Sequence, residues 1–487
     1  MEGNDMNCKS DDILEKMSLG RRTFLKGLTI LGLGGLGAGL ARPISGMAAE
    51  SSPMQKKGKF LVEPSRKTPV IREVDILVVG GGIAGVTAAL AAGRMGLKTL
   101  LVDYFGCLGG NASIGLVNTF CGFYTKESLV PIVKGVGGEI VQAMIDKKAA
   151  QAKGWYLPFD PEILKLVLEE KAAEAKVELL YYTQMVDPIL EKNTIKGVII
   201  ANKAGRQAIM AKRVLDCTGD GDICASANVP YELGDGKGGF LAADMSFQIV
   251  NVGKEFDPVN YRKVVIPAAA EAIKTGNYKL MTRADCYILY IQVPGVYQVN
   301  MAGIPWVVNG VDPDNLTKAS IDGRKVVRDI QRFFRDKVAG LDKVDVVQTA
   351  PKIGLRETRR VMGEHLLTGD EVSEAKKFDD GIGAGAWPFE IVTAQERKYI
   401  FLKGDSFYTI PYRSLVPKKI ENLLMAGRYV SCTHEAQASL RVMGPAAVMG
   451  HAVGTAAALS IKEKVSPRKL NIKLLQKELE KTGAFLG

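Results

Sequence analysis

The apolar positions divide the chain into segments of different period. Val74–Val79 is an apolar run of buried-strand type, interrupted only by Asp75. Val86–Met95 reads as an alanine-rich helix and Thr99–Asp103 as a second strand. Together they make a strand–helix–strand unit of about 30 residues. Pro161–Ala175 reads as a helix, because Asp160 suits the N-cap and Pro161 the first helical position. Strands are expected at Val177–Tyr182, Gly197–Asn202 and Val214–Cys217. Beyond residue 240 the pattern changes, with strand-like stretches at Met245–Val250, Tyr287–Val293 and Tyr297–Met301 and helical ones at Lys318–Lys337 and Glu357–Leu366. Asn422–Ala426 is again a buried strand and Pro445–Ser460 a helix of small residues. The expected fold class is α/β. A parallel sheet with helices (73–239) is interrupted by a mixed α+β insertion (240–400), resumes over 401–464 and ends in a helical tail (465–487).

Composition narrows the function classes. Of 487 residues, 47% are hydrophobic and 24% charged, which excludes a disordered chain and a multi-span membrane protein. The net charge is +11, but no basic run is interleaved with aromatics, so no nucleic-acid partner is expected. The three histidines, His365, His434 and His451, show no ligand spacing, and no metal site is expected. The seven cysteines form no CxxC pair, which argues against thiol redox chemistry and a disulfide scaffold.

Residues 1–49 read as an export leader. Ser18-Leu19-Gly20-Arg21-Arg22-Thr23-Phe24-Leu25-Lys26 resembles the twin-arginine signature. The apolar stretch Gly27–Leu40 is too short and glycine-rich for a comfortable membrane span, and Gly46 and Ala48 precede a cleavage point. The expected partner is the twin-arginine export machinery, which carries folded, cofactor-loaded proteins; the expected location is the periplasm. A polar, basic linker, 50–72, follows. The leader also holds a formal GxGxxG, Gly32–Gly37, which has no strand before it and no role.

Gly80-Gly81-Gly82-Ile83-Ala84-Gly85 has the context the leader's copy lacks, lying between a strand and a helix. There Gly80 permits the tight turn, Gly82 lets a pyrophosphate approach the backbone, and Gly85 lets helix and strand pack closely. The helix start offers free N–H groups to the phosphates. Asp103, 23 residues after Gly80, is placed to accept hydrogen bonds from an adenosine ribose.

Four segments carry a resemblance. Asp75–Asp103 with Cys107-Leu108-Gly109-Gly110-Asn111-Ala112-Ser113 looks like the opening of the FAD-dependent oxidoreductases with a glutathione-reductase-like (GR2-type) Rossmann-like flavin fold. Asp216-Cys217-Thr218-Gly219-Asp220-Gly221-Asp222 is similar to their "DATGDGD" strand end, and Gly354–Arg360 to "GiREtRR". Asn422–Arg428, Thr433–Ala436 and Ser439–Met443 resemble "NLLvAGR…THEA…SLRVM". The resemblance implies FAD as cofactor. It implies contacts from Gly109, Gly110, Asn111, Ala112, Thr218, Gly219, Asp220, Gly427 and Arg428, and from backbone near Val186 to the adenine. It also implies that the helix entered at Gly444-Pro445, with Ala446 and Ala447, points its positive end at the flavin. Gly450 and Gly454, four apart, would let that helix pack closely.

For catalysis, His434 is the candidate general base, and Arg356 and Arg441 are candidates to clamp an anionic substrate or to steady charge on reduced flavin. Tyr412, Arg413 and a covalent link through Cys107 are weaker candidates. Trp387–Val392 lacks a histidine that relatives carry near its end. No second strand–GxGxxG–helix appears; Gly234–Gly239 and Gly381–Gly385 read as loops. The reading is an exported FAD-dependent oxidoreductase acting on a small organic substrate, with an unidentified electron acceptor. The rivals are an NAD-dependent dehydrogenase and a flavin-containing carbohydrate lyase or binding protein without redox chemistry.

Overall fold

The computed structural model describes residues 55–57 and 60–487. The expected leader and the first residues of the linker lie outside the described residues. The chain forms two units, Met1–Lys67 and Thr68–Gly487. The described part of the first is an antiparallel pair, Gln55–Lys57 with Phe60–Val62.

In the second unit the strand order of the main sheet follows from where its apolar runs lie. Glu178–Leu180, Thr99–Val102, Val70–Val79, Gly205–Asp216 and Leu423–Met425 lie side by side and all run parallel. The middle strands are buried on both faces, as continuous Val/Leu/Ile runs require. Gly205–Asp216 changes partner along one edge. Its first half pairs antiparallel with Thr194–Asn202, itself paired with Gln184–Glu191; its last three residues pair parallel with Leu423–Met425. Helices Ile83–Arg94 and Met443–Lys462 pack together against this sheet. The latter is long and apolar enough to cross a membrane, but 83% of its apolar window is buried inside the protein.

A second apolar core, from Ala243 to Leu355, is separate from the first. It packs helices Arg262–Thr275 and Pro313–Lys337 on a four-stranded antiparallel sheet: Tyr287–Tyr290, Tyr297–Gly303, Asp244–Val250 and Asp345–Thr349. Residues from Val361 to Leu402 belong to the first core, so the inserted core ends well before the expected 400. A buried bond, Gln248 Nε2 to Asn118 Oδ1 at 3.1 Å, links the two layers.

Helix Pro161–Glu174 starts as expected, with the Asp160 side chain accepting from the N–H groups of Glu162 and Ile163. Three expectations are corrected. The first strand begins at Val70, inside the expected linker, because Val70–Glu73 pairs with Ala208–Met210. Glu357–Leu366 is not helical: Arg359–Val361 is a strand paired with Tyr231–Leu233. Its charged side chains are drawn to opposite sides, Arg359 to Asp222 and Arg360 to Glu232 and Glu357, which an extended backbone permits. Gly381–Gly385 is a fully buried strand paired with Tyr408–Pro411, not a loop. The ring of Tyr408 lies where a Cβ on Gly385 would stand.

Candidate functional site

Every parallel strand ends at the same side of the sheet, and a cavity of about 770 Å³ opens there. The glycine loop forms its floor. Gly80 has φ +104°, and a Cβ on it would sit 2.6 Å from the Cys217 carbonyl carbon, so no other residue fits the turn. Gly82 caps helix Ile83–Arg94 without a side-chain bond, and no acidic residue stands in that helix's first turn. A Cβ on Gly82 would meet nothing within 4 Å. The helix start is therefore open to the cavity, with free N–H groups and a partial positive charge.

Around this floor four turns are held rigid. Asp103 accepts from Gly81 N at 2.5 Å and from Phe105 N at 2.7 Å. Burial nevertheless outweighs these two bonds and pushes its carboxyl above the usual range. The Gly109–Ala112 turn is tied to the glycine loop by Gly109 N to Gly81 O at 2.8 Å, and braced by Ser113 Oγ to Leu108 O at 2.7 Å. Asp216, fully buried, holds the next turn by accepting from Thr218 Oγ1 at 2.8 Å and Cys224 N at 3.0 Å. There Asp220 pairs with Arg428 and accepts from Thr358 Oγ1 at 2.8 Å. Burial alone would raise the Asp220 carboxyl, but Arg428 and Lys352 hold it below its usual value. Asp222 shows the opposite balance: burial and the nearby Asp220 and Asp216 push it up to about 6. Asn111 Oδ1 is buried with no hydrogen-bond partner.

The opposite wall carries different chemistry. Arg356, Arg397 and Arg441 line it with Asp244 and Glu390, and with Tyr156, Tyr287 and Tyr399. Arg356 donates to Ala242 O at 2.6 Å and to Asp244 Oδ2 at 2.5 Å. Arg441 lies 2.8 Å from Glu390 Oε2. The three tyrosine hydroxyls form a chain, Tyr156 to Tyr287 at 3.0 Å and Tyr287 to Tyr399 at 2.6 Å, ending on Glu390 Oε1 at 3.1 Å.

Most residues singled out in the sequence meet in this cavity. Gly80, Gly82, Ile83, Ala84, Asp103, Gly109, Gly110, Asn111, Ala112, Val186, Thr218, Gly219, Asp220, Gly427, Arg428, Ala446, Arg356 and Arg441 all line it. Four do not. Gly85 lies against the Gly80 carbonyl and Gly444 against that of Gly122, so both serve packing. Ala447 faces Gly137 of helix Gly135–Asp146. His434 is outside the wall: its Nδ1 lies 2.9 Å from Glu357 Oε1, a fully buried carboxylate that also pairs with Arg360. That bond raises the His434 pKa, against burial. A histidine so held is a poor base for a substrate in the cavity, and the expectation is corrected. Cys107, Tyr412 and Arg413 also lie outside the wall, and Arg413 pairs with Asp380.

Sequence reasoning missed Lys352, Arg397, Glu390 and the three tyrosines. Arg397 and Tyr399 stand two apart on strand Arg397–Ile400 and so share a face. That alternation was the available signal. All six described cysteines are free, and no group of His, Cys, Asp and Glu among the described residues could hold a metal.

Comparison with known proteins gives a family. A model described as FAD dependent oxidoreductase matches residues 75–479. The tRNA uridine 5-carboxymethylaminomethyl modification enzyme MnmG of Clostridium botulinum (strain Okra / Type B1) is 26% identical over 278 residues, 53% of this chain and 40% of that protein. Its counterpart in Alkaliphilus metalliredigens (strain QYMF) is 32% identical over 145 residues, 27% of this chain and 22% of that protein. The chain thus spans less than half the length of these curated relatives. Among solved structures, a geranylgeranyl bacteriochlorophyll reductase-like protein from Thermoplasma acidophilum aligns over 84% of this chain and 83% of its own, at 14% identity and a TM-score of 0.42. The p-nitrophenol 4-monooxygenase PnpA of Pseudomonas putida DLL-E4 aligns over 84% of each chain, at 10% identity and a TM-score of 0.40.

Proposed function

The chain belongs to the FAD-dependent oxidoreductase family, and on that premise we propose that it oxidises or reduces a small organic molecule held between the flavin and the arginine–tyrosine wall. It is an FAD-dependent oxidoreductase, and FAD when bound supplies the hydride or electron chemistry. The residues present fit that cofactor. The missing Cβ of Gly82 leaves a cradle in front of an uncapped helix N-terminus, as a pyrophosphate requires. Asp103, at the end of the second parallel strand and in the cavity lining, would take the adenosine ribose, whose hydroxyl groups would add donors to a carboxylate that burial disfavours. Gly80, Ile83 and Ala84 would flank the pyrophosphate, and Val186 the adenine. Gly109–Ala112, Thr218–Asp220, Gly427, Arg428 and Ala446 would line the remainder of the cofactor's path. The parallel strand order and the position of the glycine loop support a GR2-type assignment of the flavin domain.

The observation that carries this reading is that one cavity joins the glycine floor to the charged wall. The test is anaerobic reduction. The purified protein is expected to show the visible absorption of oxidised flavin, and a substrate is expected to bleach it. A flavin that no member of a broad substrate panel bleaches would return the non-redox reading. The leader supports export by the twin-arginine route, to an acceptor such as a quinone, a periplasmic carrier or oxygen. Arg21→Lys with Arg22→Lys is expected to leave the protein in the cytoplasm, and normal export of that variant would refute this.

A further inference from the structure

The wall opposite the glycine loop holds more positive charge than it can neutralise. Arg283, Arg356, Arg397 and Arg441 face three carboxylates, Asp244, Asp285 and Glu390. The side chains of Arg397 and Arg441 are 2% and 9% exposed, and both line the cavity. Burial alone would push the Glu390 carboxyl up, but Arg441, Arg397 and Arg356 hold it at about 2. Burial lowers Arg283 only to about 10. By formal charge, four guanidinium groups stand against three carboxylates, and one positive charge is left over.

The leftover donors are found on two of these residues. Arg397 makes one hydrogen bond, from Nη2 to Asn300 Oδ1 at 3.3 Å, and its Nε lies 3.2 Å from Asp285 Oδ2 and 3.5 Å from Glu390 Oε1, so its Nη1 is the end left without a protein partner. Arg441 bonds only from Nη2, to the Glu390 backbone oxygen at 3.4 Å and to its Oε2 at 2.8 Å. The Nε of Arg441 is buried without a hydrogen-bond partner. A guanidinium has five N–H donors, and a buried cation is costly unless they are met. An anion with two oxygens is the ligand that meets both needs.

We propose that the substrate is an organic carboxylate whose anionic group is seated by Arg397 and Arg441, on the charged part of the cavity lining. The Tyr287–Tyr399–Glu390 chain then orients the polar group next to the reacting carbon. This rests on the flavin reading, which assigns the glycine-loop part of the cavity to the cofactor. Arg356, already donating to Ala242 and Asp244, is a brace for that wall and not the seat.

The test uses the flavin-loaded full chain titrated with benzoate and succinate, and with their uncharged amides, while the visible flavin band is followed. The carboxylates are expected to perturb the band saturably and the amides to bind at least about tenfold more weakly, as the loss of one charge-assisted bond implies. Arg397→Gln and Arg441→Gln are expected to weaken carboxylate binding by a similar factor and to keep the band. Arg397→Lys serves where the glutamine variant does not fold, because it keeps the charge but loses the fork. Glu390→Gln is expected to tighten binding, which a purely structural carboxylate would not do. Equal affinity for carboxylate and amide, unchanged binding in both arginine variants, or no binding of either carboxylate would overturn the proposal. An arginine variant that shifts only the flavin reduction potential would do so too, by assigning the charge to the cofactor. A parent protein without a flavin band would overturn the flavin reading instead. Carboxylate protection against thermal unfolding, measured on the same sample, would then decide whether the anion seat stands alone.

Discussion

Gly454 is buried in helix Met443–Lys462, which packs on helix Ile83–Arg94. A Cβ added there would lie 2.8 Å from the carbonyl carbon of Ala88 and 2.9 Å from its Cα. Ordinary carbon–carbon contact is about 3.5–4.0 Å, so Gly454→Ala must push the two helices apart by roughly 0.7–1 Å. The obstacle is backbone, which cannot rotate aside. Overpacking of this kind costs about 1–3 kcal/mol, against the roughly 1 kcal/mol that alanine gains over glycine in a helix. The variant should therefore be up to about 2 kcal/mol less stable, where an unobstructed helical glycine would give the opposite sign. Gly323→Ala is the control. Its Cβ would first meet side-chain atoms, Met245 Cβ at 3.0 Å and the flexible ends Met245 Cε and Ile304 Cδ1 at 3.2–3.3 Å, so the contact is milder and part of it can give way. Both packed helices begin at the cavity, so Gly454→Ala should also release flavin more readily. Urea unfolding, followed by fluorescence and by flavin absorbance, measures both effects. A midpoint for Gly454→Ala at or above that of the parent, at equal slope, would refute the close-approach argument.

Three other expectations follow from the same structure. Gly82→Val should fold normally, since a Cβ there meets nothing within 4 Å, yet purify with little flavin, as the visible spectrum would record. Glu357→Ala should cost about 1–3 kcal/mol, because it removes one of the two carboxylates paired with the buried Arg360, Glu232 remaining, and the partner of His434; an unfolding midpoint within error of the parent would contradict that. The two histidines should respond oppositely to pH. His434 has a raised pKa, so its contribution is complete below 6.5 and fades as pH rises through the folded value, and His434→Gln should destabilise most in mild acid. Burial lowers His451 to about 4, so the unfolded chain binds its proton first and stability falls between pH 6.5 and 4, by up to about 3 kcal/mol. His451→Gln should flatten that limb of the stability profile.

The parts legible in the sequence are those whose logic is local. The strand–glycine loop–helix unit, the acid at the second strand end and the capped helix after Asp160 each lie within a few turns of chain. The charged wall was not legible as a group. Glu390, Arg397 and Tyr399 come from one hairpin, Tyr287 from the inserted sheet, Tyr156 from an earlier strand and Arg441 from the end of a short helix. Nothing in the spacing tells that these side chains converge. His434 misled because its place in a motif says nothing of which way its ring turns, and Glu357 takes it. The stretch Glu357–Leu366 misled in a second way: it reads as helical, yet Arg359–Val361 pairs as a strand, and Glu357 reaches Arg360 without a helix.

The change of partner along strand Gly205–Asp216 bears on the timing of synthesis. Its antiparallel neighbour is complete before it is made, but its parallel neighbour, Leu423–Met425, is encoded some two hundred residues later. At about 5–20 residues per second that is a wait of roughly 10–40 s. Through this interval the C-terminal end of the strand has one unpaired edge, and the cavity lacks the wall supplied by Gly427, Arg428 and Ala446. The nascent chain can thus build its glycine loop early but cannot enclose a dinucleotide until nearly all of it has left the ribosome. Cofactor capture is a late event in the life of each molecule, and an interrupted chain is an open sheet edge without the ligand that would hold it shut.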